Sequence, residues 1–203
     1  MLSGGGTMTD NSSKEKFEQR DFEKPGFLFR FCLSVIHPLI SGPRLYSPFV
    51  EGLELEGSER VLEFGCGNGV LTVYLAKALD KGGTVVGVDT SSYMTERAMT
   101  RLKGHSNARI MKGDIRSLGL EPESFDLVTF IHVLHDIAPG KRQSTMDTLS
   151  CLLAPGGRLG LMEPVSSFHG IPEEKIRSIA NDAGLRVTET VPMGRRVKIS
   201  CVK

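Results

Sequence analysis

The 203-residue sequence contains no tryptophan, and only 6% of its residues are aromatic. Positive charge is also not in excess, because 25 Lys and Arg stand against 24 Asp and Glu, for a net charge of +1. Proteins that bind nucleic acid usually carry a basic patch and aromatic side chains on which bases stack. The composition therefore disfavours RNA or DNA as a partner.

Cysteine is scarce, and its spacing is uninformative for metal binding. The sequence has four cysteines and no CxxC pair, so a disulfide framework or a zinc site is not indicated. Nothing at the N-terminus resembles a signal peptide. These features predict reduced thiols and a cytoplasmic location. The four cysteines are Cys32, Cys66, Cys151 and Cys201.

The sequence also lacks an apolar run long enough to span a bilayer, which requires about 20 residues. The most apolar stretch, Gly26–Ile40, contains Arg30 and His37 and is interrupted by Pro38. This pattern favours a helix packed on the domain or covering a site. Contact between segment 26–40 and a membrane surface is the alternative.

The length suits one globular domain with a small appendage. Residues 1–20 are rich in Gly, Ser and Thr and are predicted to be a disordered tail. Residues 21–58 are predicted to form a helical cap or lid, which either covers an apolar substrate or completes the core. Residues 59–203 are predicted to form the main domain. The aromatic residues of the cap are Phe27, Phe29, Phe31 and Tyr46.

From Arg60 onward, short apolar runs alternate with helical patterns, which is typical of βαβ units. The predicted parallel strands are Val61–Phe64, Thr84–Val88, Ala108–Lys112, Leu127–Ile131 and Gly157–Glu163. The predicted helices are Leu71–Leu79, Tyr93–Lys103, Lys141–Leu153 and Pro172–Ala183. The last two strand-like runs meet at Pro192–Gly194 and predict an antiparallel hairpin. The expected fold is α/β, a doubly wound, mostly parallel seven-stranded sheet that ends in this hairpin.

Three alternate glycines, Gly65, Gly67 and Gly69, lie between the first strand and its helix. Ligands of doubly wound sheets bind at such strand ends, and glycine lets a ligand approach the backbone closely. The spacing is GxGxG and not GxGxxG, which disfavours a nicotinamide cofactor. The turn therefore predicts a nucleoside ligand of another kind.

Two aspartates end the next strands of the predicted sheet. Asp89 closes the second strand, where a carboxylate can accept hydrogen bonds from both ribose hydroxyls. Asp114 follows the third strand and can accept a hydrogen bond from an adenine amine, with Ile115 lying against the ring. As alternatives, both aspartates suit helix caps or turns.

Together these motifs resemble the class I (Rossmann-like) S-adenosylmethionine-dependent methyltransferases, over roughly Arg60 to Lys203. Glu63 precedes the glycines, "FDLV" opens the fourth strand, and "LAPGG" precedes the fifth. Thr90 departs from the family, which usually has a larger apolar residue there. The resemblance implies S-adenosyl-L-methionine as cofactor, held by Glu63, Gly65, Cys66, Gly67, Gly69, Asp89, Thr90, Met94, Asp114, Ile115 and Ile131.

The stretch "HVLHDIAPGKR" after the fourth strand is similar to the "LHDW" of small-molecule O-methyltransferases that act on phenolics. This likeness implies His135 as general base and Glu163, 28 positions later, as the carboxylate that orients it. Ile137 replaces the usual tryptophan. Quinone and sterol C-methyltransferases also carry a histidine here, which leaves a proximity role open. Phe168 and His169 are further candidates to border the acceptor.

Two absences narrow the expected acceptor. The sequence has no Pro-Pro pair, whereas methyltransferases that act on amino groups of bases or glutamine carry a (D/N/S)PP(Y/F) element. It also has no carboxylate cluster of the kind that a metal-dependent catechol methyltransferase needs. The expected activity is methyl transfer to a small molecule. A hydroxyl, with His135 as its base, is one acceptor that the sequence allows, and whether O, N, C or S is methylated stays open. A protein methyltransferase and a non-catalytic module that binds S-adenosylmethionine or S-adenosylhomocysteine are the alternatives.

Overall fold

The structure is a computed structural model that describes residues 42–165 and 170–203. Its centre is one seven-stranded sheet with the order β3-β2-β1-β4-β5-β7-β6. The strands from β1 to β5 pair in parallel, whereas β7 pairs antiparallel with both β5 and β6. This arrangement confirms the predicted fold. The strands are β1 Arg60–Phe64, β2 Thr84–Asp89, β3 Ala108–Lys112, β4 Phe125–Ile131, β5 Leu153–Pro164, β6 Arg186–Met193 and β7 Arg196–Val202.

Helices cover both faces of the sheet and create two hydrophobic cores. One core packs the first two helices against residues of β1, β2, β4 and β5, and the other packs the last two helices against residues of the same strands and of β7. Strands buried on both sides explain the continuous apolar runs of the sequence. The helices are α1 Ser47–Glu51, α2 Val70–Ala78, α3 Ser92–Arg101, α4 Pro139–Leu152 and α5 Glu173–Asp182, with a π-helical turn at Gly42–Tyr46 and 3-10 turns at Ile115–Ser117 and Leu134–Asp136.

The largest difference from the prediction lies at the start of β5. The strand begins at Leu153, not Gly157, and the preceding helix ends one residue earlier than predicted. Leu153 has extended backbone angles, is fully buried, and pairs with Phe125, which also extends β4 by two residues. Because Pro155 disfavours a helical conformation at the residue before it, the chain leaves the helix here.

Several sequence predictions fall on residues outside the described ranges. These are the tail 1–20, the apolar segment Gly26–Ile40 with its phenylalanines, and the pair Phe168 and His169. Of the predicted cap 21–58, only residues 42–58 are described. Within 42–165 and 170–203, none of the helices has the length and apolarity needed to cross a membrane.

The parallel pairing positions the functional residues. Parallel strands bring their carboxyl ends to the same edge of the sheet, where ligands of such folds bind. At this edge, the glycine turn follows β1, Asp89 ends β2, and His132 follows β4 directly. Glu163, the second-to-last residue of β5, lies beside them.

Candidate functional site

Two adjoining cavities open at the carboxyl edge of the sheet, with volumes of about 650 Å³ and 140 Å³. Gly65, Gly67 and Met94 border both of them. The larger volume lies in the range that ligand sites commonly span. The larger cavity is also bordered by Asp89, Thr90, Asp114, Ile115, Arg116, His132, Asp136 and Lys141, and the smaller by Tyr46, Glu63, Cys66, Asn68 and Ile131.

The glycine turn has a left-handed backbone at all three glycines, with φ of +71°, +52° and +78° at Gly65, Gly67 and Gly69. L-residues with a side chain rarely adopt these angles, which explains the glycine at each position. The amides of Gly65 and Cys66 both donate to the Val88 carbonyl, at 2.8 and 3.0 Å, and so fix the turn to β2.

The three glycines differ in what surrounds them. A Cβ on Gly65 would lie 2.4 Å from Val133, and one on Gly69 would lie 2.9 Å from the Ala98 backbone of α3. A Cβ on Gly67 would meet no described atom within 4 Å, so it would project into open space. Packing therefore accounts for Gly65 and Gly69, whereas the space beside Gly67 leaves room for the close approach of a ligand that the sequence predicts.

Asp89 connects the glycine turn to the larger cavity. Its carboxylate accepts hydrogen bonds from the Gly67 amide at 2.8 Å and the Ser91 amide at 2.9 Å. The same side chain borders the cavity at the end of β2. The geometry thus gives Asp89 a structural part in the turn in addition to the predicted contact with a ligand.

Asp114 is held by its neighbour Arg116. Oδ1 accepts from the Arg116 amide at 3.0 Å and from Nε at 2.9 Å, and Oδ2 accepts from the guanidinium Nη2. The guanidinium lowers the pKa of the Asp114 carboxyl to about 2. Sequence reasoning missed Arg116, which borders the larger cavity with Asp114 and the buried Ile115.

Glu63 lines the smaller cavity and is 2% exposed. Its Oε2 has no hydrogen-bond partner among the described residues. Burial raises the pKa of this carboxyl to about 8, and the nearby charge of Asp89 acts in the same direction. Burial also raises the pKa of the Cys66 thiol. At neutral pH the smaller cavity therefore carries a protonated carboxyl.

Glu163 and His135 form the pair that the sequence predicts. The fully buried Glu163 carboxylate lies 2.8 Å from His135 Nδ1. It also accepts from the backbone amides of Val133 and Leu134, at 2.6 and 2.8 Å. The other ring nitrogen of His135 lies 3.5 Å from Asp136 Oδ1. Glu163 therefore fixes the 3-10 turn as well as the imidazole.

His132 occupies an unusual position directly after β4. Its φ is +58°, a conformation that costs a residue with a side chain on the order of 1 kcal/mol. The residue borders the larger cavity, and its Nε2 has no hydrogen-bond partner within the described part of the chain. Burial lowers the pKa of its imidazole, which is therefore neutral at neutral pH. In the sequence, the signal that His132 could lie at the site is its position directly after a predicted strand.

The structure brings most of the predicted residues together around the two cavities. Three of them, Gly69, His135 and Glu163, border neither cavity. Gly69 is the N-cap of α2, His135 lies within the 3-10 turn Leu134–Asp136, and Glu163 accepts from the backbone of that turn. The cavity residues that sequence reasoning did not single out include Asn68, Ser91, Gly113, Arg116, Lys141 and Thr145.

Comparison with known proteins supports this picture. Residues 61–157 match the family model described as a methyltransferase domain. An uncharacterized methyltransferase of Synechocystis is 33% identical over 114 residues, which cover 56% of this chain and 51% of that protein. A demethylmenaquinone methyltransferase of Lactobacillus johnsonii is 27% identical over 118 residues, covering 57% of this chain and 48% of the relative.

The fold is also similar to solved structures. A crystal structure of a S-adenosylmethionine-dependent methyltransferase from Aquifex aeolicus superimposes with a TM-score of 0.73. The superposition covers 88% of this chain and 99% of that one, at 19% sequence identity, and supports the fold. The chain spans about half the length, or less, of the curated relatives that it matches.

Proposed function

Because this chain carries a class I S-adenosylmethionine-dependent methyltransferase domain, we propose that the protein transfers a methyl group from S-adenosylmethionine to a small-molecule acceptor. The observation that carries the proposal is the pair of adjoining cavities that meet at Gly67. One is wide enough for a nucleoside with an acceptor beside it, and the other is small and bordered by a buried carboxyl.

The residues present fit this cofactor. Gly67 leaves open space against the backbone, and Glu63 offers a buried oxygen with no described partner to a positively charged amine. Asp89, at the end of β2, would bind the ribose hydroxyls. Thr90, Asp114 and Ile115 border the same cavity and would surround the base. When bound, S-adenosylmethionine supplies an electrophilic methyl group on a sulfonium.

The protein's own contribution to the transfer would be to position the acceptor and to accept its proton. For a hydroxyl acceptor, we assign the role of general base to His135 and the role of orienting it to Glu163. Because His135 does not border the larger cavity, this role requires the hydroxyl to reach past Asp136, which does. The 2.8 Å contact between Glu163 and His135 Nδ1 supports this assignment, because it leaves Nε2 to take the proton. Glu163 would then stabilise the imidazolium that forms.

The curated relatives favour a small acceptor. The name of the Lactobacillus johnsonii protein describes methylation of demethylmenaquinone, a small molecule. In this chain, the larger cavity combines apolar walls at Val133, Ile137 and Ala138 with polar groups from His132 and Asp136. Such a mixture suits an acceptor with an apolar body and one polar reactive group.

The test is methyl transfer from S-adenosylmethionine labelled in its methyl group. The purified protein is incubated with a cell extract, and the extract is then separated into small-molecule and protein fractions. Label in the small-molecule fraction is expected. An Asp89→Ala variant, which removes the carboxylate from the end of β2, should bind less cofactor and transfer less label.

Two other outcomes correspond to the alternatives. Label that appears only in the protein fraction would make the protein a protein methyltransferase. Tight binding of S-adenosylmethionine without any transfer, in extracts that support transfer by a known methyltransferase, would make it a binding module. No binding of the cofactor would overturn the proposal altogether.

A further inference from the structure

The smaller cavity has an unusual electrostatic composition. Its titratable wall residues are Tyr46, Glu63 and Cys66, all of which become negative on ionisation. No Lys, Arg or His borders it among the described residues. Asp89, at the end of β2, adds its charge from outside the cavity and disfavours ionisation of both Glu63 and Cys66.

The other elements packed against Glu63 do not compensate its charge. From α2, the Thr72 hydroxyl lies near the carboxyl and favours its ionised form, but Glu63 Oε2 and Thr72 Oγ1 both have no hydrogen-bond partner in the described part of the chain. From α3, Arg101 acts on the Tyr46 hydroxyl and donates to the Asn68 carbonyl at 2.9 Å. Glu63 therefore lacks a cationic partner among the residues described.

A buried carboxyl in such surroundings holds its proton, because burial and like charges both disfavour the ionised form. A positively charged amine placed beside it would reverse this preference. The amino-acid end of S-adenosylmethionine or S-adenosylhomocysteine carries such an amine. The cavity, of about 140 Å³, is large enough for a group of this size.

We propose that Glu63 gives up a proton to solvent when the amine of the bound nucleoside enters the smaller cavity, so that binding exchanges a proton for an ammonium group. This inference rests on the proposed function. The proton leaves the Glu63 carboxyl, and the ammonium keeps its own protons, so a neutral carboxyl becomes one half of an ion pair. Glu63 then selects nucleosides that carry a charged amine.

The exchange makes binding depend on pH. Ligand binding is coupled to deprotonation of Glu63, whose pKa is about 8. The affinity should therefore increase about tenfold for each unit by which the pH is raised towards 8. Above that pH the rise should stop, and the affinity should fall once the amine of the ligand loses its own proton. A nucleoside without the amino-acid end should show neither the proton release nor this dependence on pH.

Isothermal titration calorimetry tests the exchange without any methyl acceptor. S-adenosylhomocysteine is titrated into the protein at pH 7 in phosphate and in Tris, two buffers with very different heats of ionisation. Their difference in binding heat gives the number of protons released. Close to one proton is expected for the wild-type protein. The companion ligand, 5′-methylthioadenosine, lacks the amino-acid end and should release none.

Two variants complete the experiment. Glu63→Gln should bind S-adenosylhomocysteine about 10- to 100-fold more weakly, without proton release, because the amide cannot ionise. Glu121→Gln changes an exposed glutamate and should behave like the wild type. The wild-type measurement in two buffers decides the question even if Glu63→Gln does not fold.

The outcomes distinguish this inference from the proposed function. Equal heats in both buffers for the wild type, or proton release that persists in Glu63→Gln, would overturn the inference and leave the proposed function intact. Binding of 5′-methylthioadenosine but not of S-adenosylhomocysteine would show that the smaller cavity rejects the amine, and would overturn it as well. Failure of both nucleosides to bind would contradict the proposed function and the inference together.

Discussion

Glu163 holds two different parts of the site with one carboxylate. It accepts from the backbone amides of Val133 and Leu134 and contacts the imidazole of His135, although its side chain is fully buried. A buried carboxylate left without such donors would be strongly unfavourable, so the turn and the carboxylate depend on each other. Removing His135 leaves the two backbone donors in place, whereas removing the Glu163 charge weakens the whole turn.

We therefore expect His135→Ala to fold and to bind S-adenosylhomocysteine as the wild type does. If His135 is the base, kcat for the acceptor found in the extract should fall by a factor of about 10² to 10⁴. The measurement is the rate of label transfer at saturating cofactor. His105→Ala, which changes a histidine before β3, is the matched control and should retain activity. A loss of less than about tenfold would leave His135 with a proximity role only.

His132 combines backbone strain with a place at the cavity. Positive φ is tolerated by Gly and Asn better than by Ala, because Gly has no Cβ to crowd the following carbonyl and the short polar side chain of Asn can hydrogen-bond to the local backbone. We expect the free energy of unfolding to be about 1 kcal/mol higher for His132→Gly or His132→Asn than for His132→Ala. Urea unfolding measures the difference. Equal stabilities of the Ala and Asn variants would show that the backbone at residue 132 is not held in the left-handed region.

At the scale of elements, the alternation of strands and helices and the closing hairpin could be predicted because each leaves a local signal. The hairpin connects Met193 to Arg196 across a tight turn that includes Gly194, as the apolar runs flanking Pro192–Gly194 indicated. The early start of β5 could not be predicted. It depends on the pairing of Leu153 with Phe125, a contact between residues far apart in the sequence.

The same distinction applies to the site. Residues carried by a local motif, such as the glycines and Asp89, could be found from the sequence. Arg116 could not, because its role arises from wrapping its guanidinium around Asp114 after β3 has ended. Likewise, the likeness to known enzymes singles out His135, but the sequence does not show that His132 borders the larger cavity whereas His135 does not. Which of the two histidines borders the larger cavity depends on the direction in which the chain leaves β4.

The glycine turn contains one glycine required by packing, Gly69, and one that faces open space, Gly67, and substitutions at the two can be compared. Gly69→Ala would combine a strained φ with contacts of 2.9 Å to the Ala98 backbone, and should reduce the free energy of unfolding by about 2–4 kcal/mol. Gly67→Ala should reduce it by only about 1 kcal/mol, because no described atom opposes its Cβ.

Nucleoside binding should show the reverse order for these two variants. The methyl group at position 67 would occupy space at the junction of the two cavities, so Gly67→Ala should bind S-adenosylhomocysteine at least tenfold more weakly than the wild type. Any folded Gly69→Ala should bind it more tightly than Gly67→Ala does. Calorimetry and urea unfolding on the same samples compare the two effects. Equal losses of stability would contradict the assignment of Gly69 to packing.

For the whole molecule, the site's buried acid influences stability across a wide range of pH. Glu63 has a pKa of about 8 in the fold, against an ordinary value of 4.5. Between these values the folded protein holds a proton that the unfolded chain releases, so the contribution of Glu63 to stability falls as pH rises. It is fully present below 4.5 and is lost as pH rises through about 8.

Other shifted groups can be separated from this effect. Asp114, whose pKa is lowered from 3.8 to about 2, contributes stability that is lost as pH falls from 3.8 through about 2, and Tyr46, whose pKa is raised from 10 to about 12, changes only in strong alkali. His132 acts in the opposite direction to Glu63, since burial lowers its pKa. Comparison with Glu63→Gln cancels His132, because both proteins retain it.

We therefore expect the stability of the wild type relative to Glu63→Gln to fall by about 1.4 kcal/mol per pH unit between pH 4.5 and 8. Over that range, the difference amounts to several kcal/mol, a large fraction of the stability of a typical domain. Urea unfolding of both proteins without ligand, at intervals of half a pH unit, measures it. A relative stability that does not change over this range would mean that Glu63 is ionised in the free protein, and that the smaller cavity already contains a counter-charge.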